Sequence, residues 1–240
     1  MKRQFAAVNL LPDTADESPS GQYQTCLKAV NLLKRSQPAM LQRWTPLATE
    51  GDGNCLFRAV SQAVFGSQEY HSQLRLLACL EVGSHAATYD RDAPTAHKLL
   101  KQDTLVAPTF DELWKDLCTA GRSCCFVALL ALSAVLQVRI WSFFPPLQSA
   151  FVSPLTLEIV GRDVPADSNS VAVMWSTSAD ANTTDVDINH LVTLRRSPYE
   201  EQHQASQAAP SSHVPPPVSV ASGSFEYICI YTLIFWKLIC

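Results

Sequence analysis

The run from Cys124 to Leu136 constrains the fold more than any other stretch of this chain. Ser133 is its one polar residue. A helix that is apolar almost all round has no face to give to water, so it belongs in the centre of a domain. Ser123, just before it, is suited to cap it. The period then changes. Val138-Arg139-Ile140-Trp141-Ser142-Phe143 alternates and is rich in β-branched and aromatic residues, which reads as a strand, and Pro145-Pro146 stops it. Ser170 to Trp175 is a second strand, with Val171, Val173 and Trp175 on one side. Ile188 to Leu194 is a third, and Trp44 to Ala48 is a short strand or an extended lead-in. Helices come first and strands after, with a helix-to-strand step between. That order predicts an α+β fold with α/β-type layers, helices packed on a small mixed β-sheet.

The remaining helices follow from spacing and caps. Cys26 to Leu33 predicts a short helix with Leu27, Val30 and Leu33 along one side. A second runs from near Glu69 to Gly83 and carries Leu74, Leu77 and Leu80. His71 and Arg75 are i,i+4 neighbours on it and read as surface polar residues. Pro108-Thr109-Phe110-Asp111-Glu112 is a helix start, with Thr109 as N-cap and acids in the first turn. Phe110, Leu113, Trp114 and Leu117 then form a core face, and Gly121 is placed to end the helix.

At 240 residues, 47% of them apolar, the chain has room for one domain of common size and tails. The organisation read from composition is an N-terminal extension over 1–43, a domain over 44–196, a flexible Pro/Ser/Gln-rich linker over 197–224 and an apolar tail over 225–240. The tail is short for a membrane-spanning helix. A marginal anchor, a strand that pairs elsewhere and a segment without selected function all stay open, with membrane contact through it the weaker option. A net charge of −4 gives no basic footprint for nucleic acid. The eight cysteines contain no C-x-x-C pair. Cys79, Cys118, Cys124 and Cys125 lie in apolar-periodic stretches, where free cysteine behaves as a small hydrophobe, so a zinc site has little support. No secretory signal follows Met1-Lys2-Arg3-Gln4-Phe5. Together these predict a reducing, intracellular setting, cytoplasm or nucleus.

One stretch carries chemistry. Glu50-Gly51-Asp52-Gly53-Asn54-Cys55 is a Gly-rich polar loop that runs into a helix bearing Leu56, Val60, Ala63 and Val64 on one face. Cys55 then sits at a helix N-terminus, where unpaired amides and the helix dipole favour a thiolate. The same amides can stabilise an oxyanion. Among the six histidines, His190 has the setting of a functional residue, at a strand entrance behind a polar Asn and ahead of apolar residues.

The string Asp-Gly-Asn-Cys-Leu-Phe-Arg-Ala, residues 52–59, resembles the nucleophile motif of the ovarian-tumour (OTU) cysteine proteases, most of them deubiquitinases. Asn189-His190-Leu191-Val192 is similar to the late segment that carries the family's general base, and His71-Ser72-Gln73-Leu74-Arg75 resembles the His-x-x-Leu-Arg that often follows the nucleophile helix. The resemblance implies an OTU-like cysteine protease fold over roughly 44–196. It further implies Cys55 as nucleophile, His190 as base, no metal or organic cofactor, and ubiquitin or a ubiquitin-like protein as partner. Asp52 matches the acid often counted in the active site, though bracing the loop is the other role open to it. Gly53 and Asn54 are the oxyanion or loop-support residues. The position two after the base, polar in many relatives, is Val192, which leaves Asn189 or Asp187 as possible orienting groups. The His190 ring is then expected within hydrogen-bond reach of the Cys55 sulfur. A second, diffuse resemblance joins Leu132–Phe144, Val171–Trp175 and the His190 segment to the OTU-like region of vertnin, a DNA-associated regulator. Two functions therefore stand: a cysteine isopeptidase acting through a Cys55 thioester, and a catalytically inactive OTU-like binding or regulatory module, vertnin-like or transposon-derived.

Overall fold

In the computed structural model, which describes residues 23–102, 108–146, 155–178 and 188–197, the apolar run is helix α7, Phe126–Leu136, buried without interruption from Phe126 to Ala134. It starts later than the sequence suggests. Cys125 is the N-cap and makes no side-chain cap bond, so Ser123 does not cap it. Ser133, the polar exception, donates its hydroxyl to the Val138 carbonyl at 2.6 Å and accepts from the Gly161 amide at 2.8 Å. A buried hydroxyl paired in this way avoids a desolvation penalty.

Five strands form one mixed sheet in the order β1-β5-β4-β2-β3: β1 Trp44–Leu47, β2 Arg139–Phe143, β3 Leu157–Ile159, β4 Ser170–Ser176 and β5 His190–Arg196. Only β2 and β4 are parallel; the other pairings are antiparallel. The chain is an α+β fold with helices on a small mixed sheet. The three-residue edge strand β3 has no counterpart among the sequence-based expectations, being too short to show a period.

Both faces of the sheet are covered. Thr193 donates its hydroxyl to the Ala59 carbonyl at 2.8 Å, which lays helix α3, Cys55–Phe65, on that face of β5. Alternation sends Val192 to the opposite face, and it is 0% exposed. Helix α1, Leu27–Ser36, packs against β1 and β4. Its buried side is Ala29, Leu32 and Leu33, while Leu27 is exposed; the helix is rotated from the face predicted by Leu27, Val30 and Leu33. Met40–Arg43, α2, is one turn leading into β1.

Helix α4, His71–Ser84, packs on α3, on α7 and on α6, Phe110–Cys118. A short α5, Ala86–Tyr89, and a 3-10 turn, Lys98–Lys101, follow α4. Thr109 caps α6 in a full capping box with Glu112. Gly121 does not end this helix, which stops at Cys118. Leu80 is exposed rather than core, and Trp114 is only partly covered, lying over Gly83. Arg75, read as a surface residue, is buried at 6% exposure. Among the described residues no helix is long and apolar enough to cross a membrane. The stretch before residue 23, nearly all of the linker, and the apolar tail lie outside the described residues.

Candidate active site

Cys55 is the first residue of α3, and its side chain is buried at 9% exposure. It lines a small pocket with Leu56, Cys124, Trp175, Asn189, His190 and Leu191. Burial raises its pKa most and Asp52 adds repulsion, against the backbone amides of Leu191, Leu56 and Cys55 itself, which favour the thiolate. The thiol is pushed above its ordinary value of 9.0. The thiolate expected from the helix N-terminus is therefore not the resting form, because desolvation exceeds the amide and dipole contribution.

The loop before Cys55 is held from two directions. Asp52 accepts from the Asn54 amide at 2.9 Å and from the Asn54 side chain at 3.1 Å, and it takes Arg58 Nη2 at 2.7 Å. Its bond to Arg58 is the main reason its carboxyl is held well below the usual carboxylate range. Glu50 pairs with the same guanidinium at 2.9 Å. These are the contacts of a loop brace, and none of them reaches the imidazole. The Asn54 amide is thereby occupied, so this residue supports the loop while its N–H is not free for an oxyanion.

The second brace is Arg75, the last residue of the His-x-x-Leu-Arg string, whose role that resemblance does not give. Nε donates to Asn54 Oδ1 at 3.1 Å and Nη2 to the Gly53 carbonyl at 3.0 Å. Nη1 donates to the carbonyls of Asp116 at 2.8 Å and Thr119 at 2.9 Å, and Nη2 to that of Arg122 at 2.5 Å. The guanidinium also lies 4.4 Å from the centre of the Phe57 ring. Here Gly53 and Gly121 meet back to back, with φ of +79° and +73°. A Cβ on Gly53 would fall 1.7 Å from the Gly121 carbonyl oxygen, so the approach requires glycine. Cys124, a second thiol at the pocket, is pushed up to about 11, chiefly by burial.

His190 opens β5 opposite Ser176 of β4 and is 8% exposed. Its Nε2 lies 3.0 Å from Thr49 Oγ1, and that hydroxyl is 2.5 Å from the Leu191 carbonyl, to which it donates. A hydroxyl has one proton. With that proton on Leu191, Thr49 accepts from Nε2–H, and the neutral ring keeps its lone pair on Nδ1. The Cε1–Nδ1 edge of the ring lies toward Gly51, where an added Cβ would meet these atoms at 3.8 and 3.9 Å. Burial lowers the imidazole pKa below 6.5, opposed by hydrogen bonding to the Thr49 backbone. The register of β1 on β5 explains the contact: Leu47 pairs with Thr193, so two residues on Thr49 comes against Leu191. Sequence reading missed Thr49, because its partner lies far away in the chain. The Asn189 amide oxygen accepts from the amide and hydroxyl of Ser178, at 3.0 and 2.8 Å. Asp187 lies outside the described residues. Among the described residues no hydrogen bond joins His190 to Cys55, although both line one pocket. No cluster of three or more metal-ligating side chains occurs among them either.

A family profile for the OTU domain of vertnin matches residues 46–176, ending before the His190 strand. No curated protein matches the sequence. Similar solved structures include the OTUD1 OTU domain, at 20% identity over 70% of this chain and 97% of that one, with a TM-score of 0.49. The viral OTU domain protease from Farallon virus is 17% identical over 66% and 88%, with a TM-score of 0.42. The Hazara virus OTU bound to ubiquitin is 12% identical over 66% and 84%, with a TM-score of 0.39.

Proposed function

The chain belongs to the vertnin OTU-domain family, and from that premise we propose that it is a cysteine isopeptidase acting on the C-terminus of ubiquitin or a ubiquitin-like modifier. The observation that carries this reading is the shared pocket of Cys55 and His190 at the first residue of α3. In the reaction, His190 Nδ1 takes the thiol proton as sulfur attacks the carbonyl joining the modifier to a lysine amine. The C–N bond breaks, the imidazolium protonates the departing amine, and a thioester remains. Water activated by the same imidazole then cleaves the C–S bond and regenerates the thiol. Thr49 holds the ring in the tautomer that leaves Nδ1 basic, the part an acid or amide plays in a triad. The resting pair is neutral thiol and neutral imidazole, so proton transfer accompanies attack. Catalytic contacts commonly tighten only when substrate binds.

A second reading, a binding module without turnover, is favoured by one specific observation: the imidazole is bonded to Thr49 and not to the sulfur. An active-site-directed ubiquitin probe separates the two. The enzyme reading expects a covalent adduct with reduced wild-type protein that is lost in Cys55→Ala. Absence of an adduct, or equal labelling of the variant, overturns it, and ubiquitin binding without cleavage then supports the module.

A further inference from the structure

Away from the pocket, two thiols meet on one surface. Cys79 lies on α4 and is half-buried; Cys118 closes α6 and is exposed. Their sulfurs are 2.8 Å apart and both are free. A disulfide needs sulfur atoms at about 2.05 Å, on Cα atoms close enough to be bridged without backbone movement. Two thiols already in contact across packed helices meet most of that requirement. No cluster of three or more His, Cys, Asp or Glu that could hold a metal occurs among the described residues.

We propose that Cys79 and Cys118 are a modification site for small-molecule disulfides such as oxidised glutathione, and close into an intramolecular disulfide that ties α4 to the C-terminal end of α6. Cys118 is the sulfur in solvent, so its thiolate attacks one sulfur of the glutathione disulfide and expels one glutathione thiolate. Cys79 then attacks the Cys118 sulfur of that mixed disulfide and expels the second glutathione. Two protein thiols are oxidised, one glutathione disulfide is reduced to two thiols, and two protons pass from protein to product. Burial, with the neighbouring thiol, holds the Cys79 thiol up at about 12, which leaves the first attack to Cys118; in the second, intramolecular step proximity compensates for a small thiolate fraction.

The place of this crosslink in the fold gives it a consequence. Arg75, one helical turn before Cys79, binds the Asp116 and Thr119 carbonyls on either side of Cys118 and the Gly53 carbonyl of the nucleophile loop. The disulfide would staple the same α4–α6 joint that Arg75 fastens. It would close a loop of about forty residues, a length at which a crosslink constrains the unfolded chain substantially.

The test is equilibration of the full chain in glutathione buffers of graded potential, followed by acid quench, alkylation and peptide mapping without reduction. The expected result is a Cys79–Cys118 crosslinked peptide, with Cys55 still alkylated and a Tm at least about 4 °C above that of the reduced protein. Cys118→Ser, a change at an exposed position, should abolish both the crosslink and the Tm rise while leaving the reduced Tm unchanged. Cys79→Ser should do the same for the crosslink. Alkylation of both residues at every potential, or crosslinks that join other cysteines instead, overturns the proposal. None of these readouts uses isopeptidase activity, so the inference stands or falls apart from the proposed function.

Discussion

At the scale of single residues, the site turns on where two protons reside. Cys55 is raised above its ordinary pKa and His190 lowered below its own, both chiefly by burial. The pair therefore rests as thiol and neutral imidazole between those values. Alkylation of Cys55, followed on its own peptide, should climb about tenfold per pH unit through neutrality and past pH 9. A plateau near neutrality would instead indicate a thiolate–imidazolium pair. Thr49 makes a second prediction. Thr49→Val keeps the shape and removes both the acceptor for His190 Nε2–H and the donor to Leu191. In the isopeptidase assay kcat should fall by roughly tenfold to a hundredfold with KM little changed, and Thr49→Ser should restore most of it. An unchanged kcat would remove Thr49 from the mechanism.

At the scale of elements, the nucleophile loop is set by neighbours rather than by its own cap. Asn54, the N-cap of α3, makes no side-chain cap bond; its oxygen serves Arg75 and the Gly121 amide instead. Arg75→Met would strand the Gly53, Asp116, Thr119 and Arg122 carbonyls. The expected loss in denaturant unfolding is about 3 kcal/mol or more, and a change under about 0.5 kcal/mol would show that water replaces the guanidinium. The two facing glycines should separate by size of effect. Gly121→Ala meets nothing nearer than 3.4 Å and pays mainly the left-handed backbone penalty, about 1–2 kcal/mol. Gly53→Ala meets a carbonyl oxygen at 1.7 Å and should leave little folded protein at 25 °C. Equal effects would contradict the back-to-back packing.

For the whole molecule, one sheet receives helices on both faces. The core cluster runs from Ala29, Leu32 and Leu33 of α1 through α7 to Leu191, Val192 and Leu194 of β5. Val192 shows how this frame bears on chemistry: the place where an orienting polar group was sought is needed as core. The division of the chain leads to a whole-molecule prediction. Removal of residues 198–240 is expected to leave Tm and probe labelling unchanged and to improve solubility, since the tail is aromatic and β-branched. A fall of several degrees, or lost labelling, would place the tail in the domain.

Periodicity and caps are local, and what depends on them was legible in the sequence. The central helix, three of the five strands, β1 as one of two options, the Thr109–Glu112 start of α6 and the loop–helix setting of Cys55 all follow from residues a few positions apart. Rotation and depth were not legible. Leu27 and Leu80 kept the helical period yet face water, because a helix's buried side is chosen by the element it meets. Arg75 looked like a surface charge until the carbonyls of another loop surrounded it. Thr49 acquired a partner only through the pairing of β1 with β5, and the two thiols at Cys79 and Cys118 became neighbours only where α4 crosses α6. Residue type and spacing settled which elements form and which sulfur heads a helix. Which groups lose their water, and which donors find which acceptors across the chain, was decided by tertiary packing alone, since desolvation and long-range pairing have no local period to read.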